Sequence, residues 1–463
     1  MKTKKYLKVY EYYLEKIQHQ TLRSGDLIPS TRELSKRFQC HRFTVMNALQ
    51  MLKAEGWLVS DLRKSYKVSE KIPITKSVGV SVKNAKELKI KSRSLGENFE
   101  LERAKFKIAF WGGQPDITSF PKEELRKTLA YAFKRAKDED LNYGNVTGLD
   151  IFKKQAVEYL RRSRNITGKE MIVTNGSQEA IYLIAKIFLN PGDKVIVERK
   201  GYPAAWKIFE SLGVIIVPVD VDHEGMQTDS LDNLIGKHGA RMIYLTPLHQ
   251  YPTTVTLSPK RRSEVIRQAE KWGIPILEDD YDHEFHYTSP PPAPMVTKSN
   301  HVIYVNSFSK IFVPGARLGV ILCSPNLLKP LAQQKYVVSH QTDSFTQLTL
   351  SQWMKEGGFE RHLRRMSRAY YKRYLLMIGL LEDIKSKKEI AFEKPNGGMS
   401  IWVNFNQDSQ KLSERCRKQG VFFQFEKSMD YLGEAGTHLR IGFAGVNESQ
   451  MEKGFAVLKD CLL

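Results

Sequence analysis

Short apolar runs recur through the chain beyond residue 170, and each one stops at small, polar or charged residues. The runs are Met171-Ile172-Val173-Thr174, Val195-Ile196-Val197, Met242-Ile243-Tyr244-Leu245, Ile274-Pro275-Ile276-Leu277 and Val302-Ile303-Tyr304-Val305. Continuous apolar runs this short, rich in β-branched residues, predict strands buried in an α/β sheet. After Asn175-Gly176-Ser177-Gln178 the stretch from Glu179 to Phe188 is amphipathic and predicts a helix.

The first hundred residues follow a different pattern. Ser30 and Glu33 stand at capping-box spacing and open a helix after Ile28-Pro29. A break at Gln39-Cys40-His41 precedes a second helix, Arg42 to Leu52, whose Val45, Ala48, Leu49 and Leu52 form one apolar stripe. Gly56 is a stop signal. Trp57-Leu58-Val59 and Tyr66-Lys67-Val68 then predict a two-stranded wing around Arg63-Lys64. Helix-turn-helix spacing of this kind lets the second helix enter a DNA major groove, although a small helical cap has the same periodicity.

Charge separates these readings. The chain has 463 residues, 72 Lys+Arg and 51 Asp+Glu, for a net charge of +21. Residues 1–100 hold 21 basic and 10 acidic side chains, about half of that excess. A clustered basic excess neutralises phosphates. No amphipathic basic helix with a Trp/Leu face points instead to a membrane surface. Between about Glu70 and Arg103 the chain is polar and lysine-rich, which is linker composition. The length implies two or three domains. Cys40, Cys323, Cys416 and Cys461 are widely spaced with no CxxC, which argues against a disulfide scaffold or a zinc site. With no signal peptide or bilayer-spanning stretch in the sequence, the expectation is a cytoplasmic protein without a bound metal.

The candidate chemistry gathers at the predicted strand ends. Lys310 follows a buried run in Ser307-Phe308-Ser309-Lys310, with Arg317 seven residues on. A lysine desolvated there suits Schiff-base chemistry with an aldehyde cofactor, and the two hydroxyls and the guanidinium suit a phosphate. By itself the tetrapeptide also fits a lysine that has surfaced beside serines. Asp279, in Glu278-Asp279-Asp280-Tyr281-Asp282, can pair with a pyridinium nitrogen, and Tyr281 can donate to a ring oxygen. Acidic strand ends also serve metals or are simply solvated. Gly176-Ser177-Gln178 offers a helix N-terminus to an anion. Tyr202, in Gly201-Tyr202-Pro203, is placed to stack on a flat ring. In open α/β sheets ligands bind at these carboxyl ends.

Taken together, residues from about 105 to 463 resemble a class I aminotransferase domain of the pyridoxal-phosphate-dependent fold type I. The resemblance implies pyridoxal 5'-phosphate as cofactor and Lys310 as its aldimine lysine. Asp279 would face the ring nitrogen, Tyr281 the ring oxygen and Tyr202 the ring face. Ser177, Gln178, Ser307, Ser309 and Arg317 would hold the phosphate. Gln250 would replace the usual asparagine, and Thr254 stands where a glycine is expected. Tyr143 would reach the phosphate of a neighbouring subunit, which makes a homodimer the expected state. Arg440, in Leu439-Arg440-Ile441-Gly442, would grip a carboxylate, although a surface strand arginine would look the same in sequence.

Residues 1 to about 70 resemble the winged helix of GntR-type regulators. The likeness rests on Pro-Ser-Thr-Arg-Glu-Leu, Arg-Phe-Thr-Val and Ala-Glu-Gly. It implies that Arg32, Arg42 and Thr44 contact DNA and that Lys64 sits in the wing. His41 replaces a usual serine, and Ser65 stands where the wing usually has glycine. The whole chain is similar to the MocR subfamily. The expected fold class is a small winged helix-turn-helix domain (1–70) and a large α/β fold type I domain (105–463), joined by a basic linker (71–104). The expected function is a DNA-binding transcription regulator that senses an amino acid or amine through aldimine exchange at Lys310. Ala204 and Ala205, where some members have a basic residue, disfavour an ω-amino acid. An active aminotransferase with a DNA-binding appendage stays open, as does a regulator that has lost the cofactor.

Overall fold

The computed structural model describes residues 5–60, 65–71, 106–288 and 290–462. They fall into two compact units, each taken here by itself.

In the first unit the helix Thr31–Arg37 starts on the expected capping box. Ser30 N donates to Glu33 Oε2 at 2.8 Å, and Glu33 N donates to Ser30 Oγ at 3.3 Å. The helix Arg42–Ala54 buries Val45, Ala48, Leu49 and Leu52, as the stripe predicts. Gly56, at φ +83°, ends it. The wing is an antiparallel pair, Leu58–Ser60 with Tyr66–Val68, in which Leu58 faces Val68. Ile28 N donates to Tyr66 O at 2.8 Å, which ties the segment before the second helix to the wing. The sequence reading missed the helix Lys5–Gln18. It buries Val9, Tyr13 and Ile17, one residue per turn, a stripe too narrow to stand out among its tyrosines, lysines and glutamates.

The second unit is built on a seven-stranded sheet. Its order is Glu170–Thr174, Gly319–Cys323, Val302–Ser307, Ile276–Asp280, Ala240–Leu245, Lys194–Glu198 and Ile215–Val219. Successive residues enter different cores: Val173, Ile196, Ile243 and Tyr304 join one apolar cluster, while Ile172, Val197, Tyr244 and Val305 join another. Both faces are therefore covered, which is why these strands read as unbroken apolar runs. One expected strand begins later than its apolar run. Pro275 has no N–H, and the ladder starts at Ile276.

All strands of this sheet run parallel except Gly319–Cys323. That exception positions the site. Gly319 lies opposite both Thr174 and Ser307, so the segment before it, with Arg317, arrives where its neighbours end. A second sheet runs Ala391–Phe392, Ser400–Asn404, His438–Gly442, Val421–Phe425 and Ile108–Phe110, and it carries Arg440. No helix among the described residues is long and apolar enough to cross a membrane.

Candidate cofactor site

The strand ends surround a cavity of about 230 Å3. Ser177, Gln178, Tyr202, Asp279, Tyr281, Ser307, Ser309, Lys310, Arg317 and Arg440 all line it. Residues spread over more than 260 positions of sequence thus meet in one chamber.

Lys310 ends the single 3-10 turn Phe308–Lys310 that follows the buried strand. Ser307 Oγ caps this turn by accepting from Ser309 N at 3.3 Å. Lys310 Nζ donates to Gly113 O at 2.7 Å. Gly113 has φ +74°, and a Cβ there would stand 3.4 Å from Nζ, so the glycine lets the backbone come this close.

Within the acidic run only Asp279 and Tyr281 line the cavity. Glu278 accepts from Met295 N and Val296 N, Asp280 pairs with Arg164 at 2.8 Å, and Asp282 pairs with His249 at 2.7 Å. The side chains point alternately out of the pleat, and this sorts them. Among the described residues no group of His, Cys, Asp or Glu could hold a metal ion. Asp279 accepts a 3.0 Å hydrogen bond from Tyr244 OH at Oδ2, while Oδ1 is buried without a partner. Burial pushes its carboxyl up to about 7. Glu198, which accepts from Thr246 N and Oγ1, is also pushed up to about 7 by burial. Tyr281 OH donates to His249 O at 2.8 Å.

Gly176 precedes the helix Ser177–Phe188 and gives it no side-chain cap, so the first N–H groups of that helix open toward the chamber. Arg317 Nη2 donates to Asn175 O at 3.4 Å. Ser309 Oγ is buried with no partner. Arg440 is 1% exposed. Its Nε donates to Ser400 Oγ at 2.9 Å, its guanidinium carbon lies 3.9 Å from the Tyr251 ring centre, and its Nη1 is buried without a partner.

Three residues that line the chamber therefore each carry a buried polar atom without a partner: a carboxylate oxygen of Asp279, the hydroxyl of Ser309 and a guanidinium nitrogen of Arg440. Unmet groups of this kind carry a desolvation cost that a ligand removes. The set fits a ligand with a cationic ring nitrogen at Asp279, a phosphate near Ser309 and a carboxylate at Arg440.

Two expected residues are not brought into the chamber. Gln250 turns away: Nε2 donates to Lys200 O and Tyr251 O, both at 2.6 Å, and Oε1 accepts from Thr253 Oγ1 at 2.6 Å. Its longer side chain folds back onto its own loop. Tyr143 is 82% exposed, its ring 5.0 Å from that of His340. The sequence reading also missed Tyr251 and Gln424 in the cavity wall. Gln424 Oε1 accepts from Gly112 N at 2.7 Å, a contact across 312 residues that no local signal announces. In the first unit Arg32 and Arg42 are exposed and Thr44 is half-buried, while Lys64 and the expected linker lie outside the described residues, except for Lys71.

Sequence models of two families match the chain. Aminotransferase class I and II covers residues 113–458, and bacterial regulatory proteins of the gntR family covers residues 5–68. The uncharacterized HTH-type transcriptional regulator YdeL of Bacillus subtilis is 27% identical, with 98% of this chain and 96% of that protein aligned. The probable rhizopine catabolism regulatory protein MocR of Rhizobium meliloti is 26% identical over 98% of this chain and 93% of its own length. Among solved structures, the α-aminoadipate aminotransferase LysN of Thermus thermophilus, complexed with N-(5'-phosphopyridoxyl)-L-leucine, superposes with a TM-score of 0.71 at 26% identity, covering 80% of this chain and 95% of LysN. The chain belongs to the class I and II aminotransferase family and, with a gntR-family winged helix ahead of that domain, has the two-domain composition of the MocR-type proteins.

Proposed function

We propose that the protein is a pyridoxal-phosphate-dependent transcription regulator that binds DNA and senses an amino acid or amine at Lys310. The observation that carries this reading is the chamber itself: Lys310 lines the same space as Asp279, Ser309 and Arg440, each of which has an unpartnered buried atom. When bound, pyridoxal phosphate supplies an aldehyde carbon that amines attack and a ring that draws electron density from it. Asp279 would hold a proton at the ring nitrogen, Tyr202 would cover the ring and Tyr281 would serve the ring oxygen. Ser177, Gln178, Ser307, Ser309 and Arg317 hold the phosphate. Arg440 would hold the effector's carboxylate, and Lys310 would hold the cofactor in competition with the effector's amine. Such an exchange regulates only if the effector favours one state of the protein over another.

In this reading the winged helix (1–70) contacts DNA through Arg32, Arg42, Thr44 and Lys64. A basic linker (71–104) joins it to the large domain (105–463). The working form is a homodimer in the cytoplasm. An exposed apolar surface supports the dimer: Phe133 lies 5.5 Å from Phe345, and Tyr143 and Tyr336 flank His340 at 5.0 and 4.7 Å. Patches like this mark interfaces. Tyr143 would then serve the partner's phosphate site.

A second reading, an aminotransferase with a DNA-binding appendage, draws on the presence of Lys310, Asp279, Tyr281 and Arg440 in one cavity. DNA binding by the intact chain, measured with pyridoxal phosphate and a panel of amino acids, separates the two. A regulator changes its DNA affinity or footprint with one of them. An enzyme makes keto acid while its DNA binding stays constant.

A further inference from the structure

The helix Arg42–Ala54 has two unlike faces. One buries Val45, Ala48, Leu49 and Leu52. The other turns Phe43, Met46 and Gln50 outward at i, i+3 and i+7, with Phe43 62% and Met46 38% exposed. An outward phenyl ring and a thioether one turn apart make an apolar strip at the start of the helix. His41 Nδ1 accepts from Phe43 N at 3.3 Å and fixes that first turn. Arg42 stands exposed beside it, with Nη2 3.5 Å from Thr31 Oγ1.

The basic excess of residues 1–100, 21 cationic against 10 anionic side chains, and the exposed Arg42 beside the strip favour DNA as the occupant of this face. Residues at the start of a recognition helix are those that reach base edges in the major groove. Phe43 and Met46 have no hydrogen-bonding group suited to that task. The apolar group a base pair presents in the major groove is the thymine 5-methyl. Resting on the DNA-binding reading above, we infer that Phe43 and Met46 read thymine methyl groups, so each half-site carries A·T pairs under this strip. A cytosine there would leave its amino group facing the phenyl ring unpaired, which adds rejection to attraction.

The test uses the intact protein and a pool of random-sequence duplexes to recover preferred sites. Each recovered thymine is then replaced by deoxyuridine, which removes the methyl and nothing else. Loss of a methyl contact should weaken binding by about fourfold, the value of burying one methylene-sized group. Phe43→Ala should abolish that dependence at one thymine per half-site, and Phe43→Leu should retain most of it. Both positions are exposed, so the fold should tolerate the changes. Indifference of the wild-type chain to every thymine-to-uracil exchange overturns the inference. So does a Phe43→Ala chain that keeps the dependence or changes only its sedimentation. Failure to recover any preferred duplex sinks the DNA-binding reading itself, a different result.

Discussion

Tyr244 donates to Oδ2 of Asp279 at 3.0 Å and leaves Oδ1 buried and unmet in a residue that lines the cavity. Burial lifts the Asp279 carboxyl to about 7, well above its ordinary value. Between those limits the folded protein holds a proton that the unfolded chain has released. Stability from this group is therefore present in acid and lost as pH rises through about 7. Asp279→Asn, always neutral, escapes that loss. Without cofactor the variant should melt above the wild type at pH ~8, by about 2 °C or more, and the gap should narrow steadily as pH falls toward the ordinary carboxylate range. Glu278, also near 7, acts equally on both chains, whereas Glu198 is lifted in part by the Asp279 charge and is eased downward in the variant. The same substitution should weaken pyridoxal phosphate binding by about 10- to 100-fold, the worth of a hydrogen bond to a charged group. Calorimetry and a cofactor titration check both halves.

Gly176 has φ +85°, and a Cβ there would lie 2.8 Å from Arg317 Nη2. Gly176→Ala should strain the loop by about 1 kcal/mol and push the guanidinium aside. Binding of pyridoxal phosphate should fall about tenfold, whereas binding of pyridoxal, which lacks the phosphate, should change little. Equal losses for both ligands would show that Arg317 and this turn do not serve a phosphate.

Arg440 should decide which amines are felt. Arg440→Lys keeps the charge but loses the planar fork, and Arg440→Ala loses both. Each should leave the cofactor's own absorbance in place. The concentration of amino acid needed to shift it should rise about a hundredfold in the alanine variant and less in the lysine variant. Simple amines without a carboxylate should respond as in the wild type. An unchanged amino acid response in Arg440→Ala contradicts the carboxylate role.

Phe133 is half-exposed against Phe345. Phe133→Glu should place a charge in the proposed dimer contact and shift sedimentation toward monomer at micromolar concentration. Cofactor binding should weaken with it if Tyr143 completes the partner's phosphate site. A dimer that survives the change moves the interface elsewhere on the surface.

Much of this site was legible because its residues sit at element ends. Unbroken apolar runs marked the doubly covered strands, and some of the polar residues just after them, Ser177, Asp279, Tyr281 and Lys310 among them, line the cavity. The Ser30–Glu33 box and the Val45 stripe were legible for the same reason: each lies within one helical turn or two. What escaped depends on distance or side-chain direction. Gln424 reaches Gly112 across 312 residues. Tyr251 enters the wall with its ring against Tyr202 and under the Arg440 guanidinium, contacts that join distant parts of the chain. Gln250 was expected on the cofactor, yet its amide closes its own loop through Lys200 and Thr253. Residue type alone could not show which way that amide turns.

The measurement that bears most directly on the central claim is the absorbance spectrum of the intact protein with pyridoxal phosphate, titrated with amino acids and amines beside a Lys310→Ala control. The account predicts a visible band that requires Lys310, shifts with one class of amine and yields no keto acid over many turnover times. A shifting band accompanied by steady keto acid formation would make the large domain a working aminotransferase. Absence of any Lys310-dependent band would contradict both readings of the chamber.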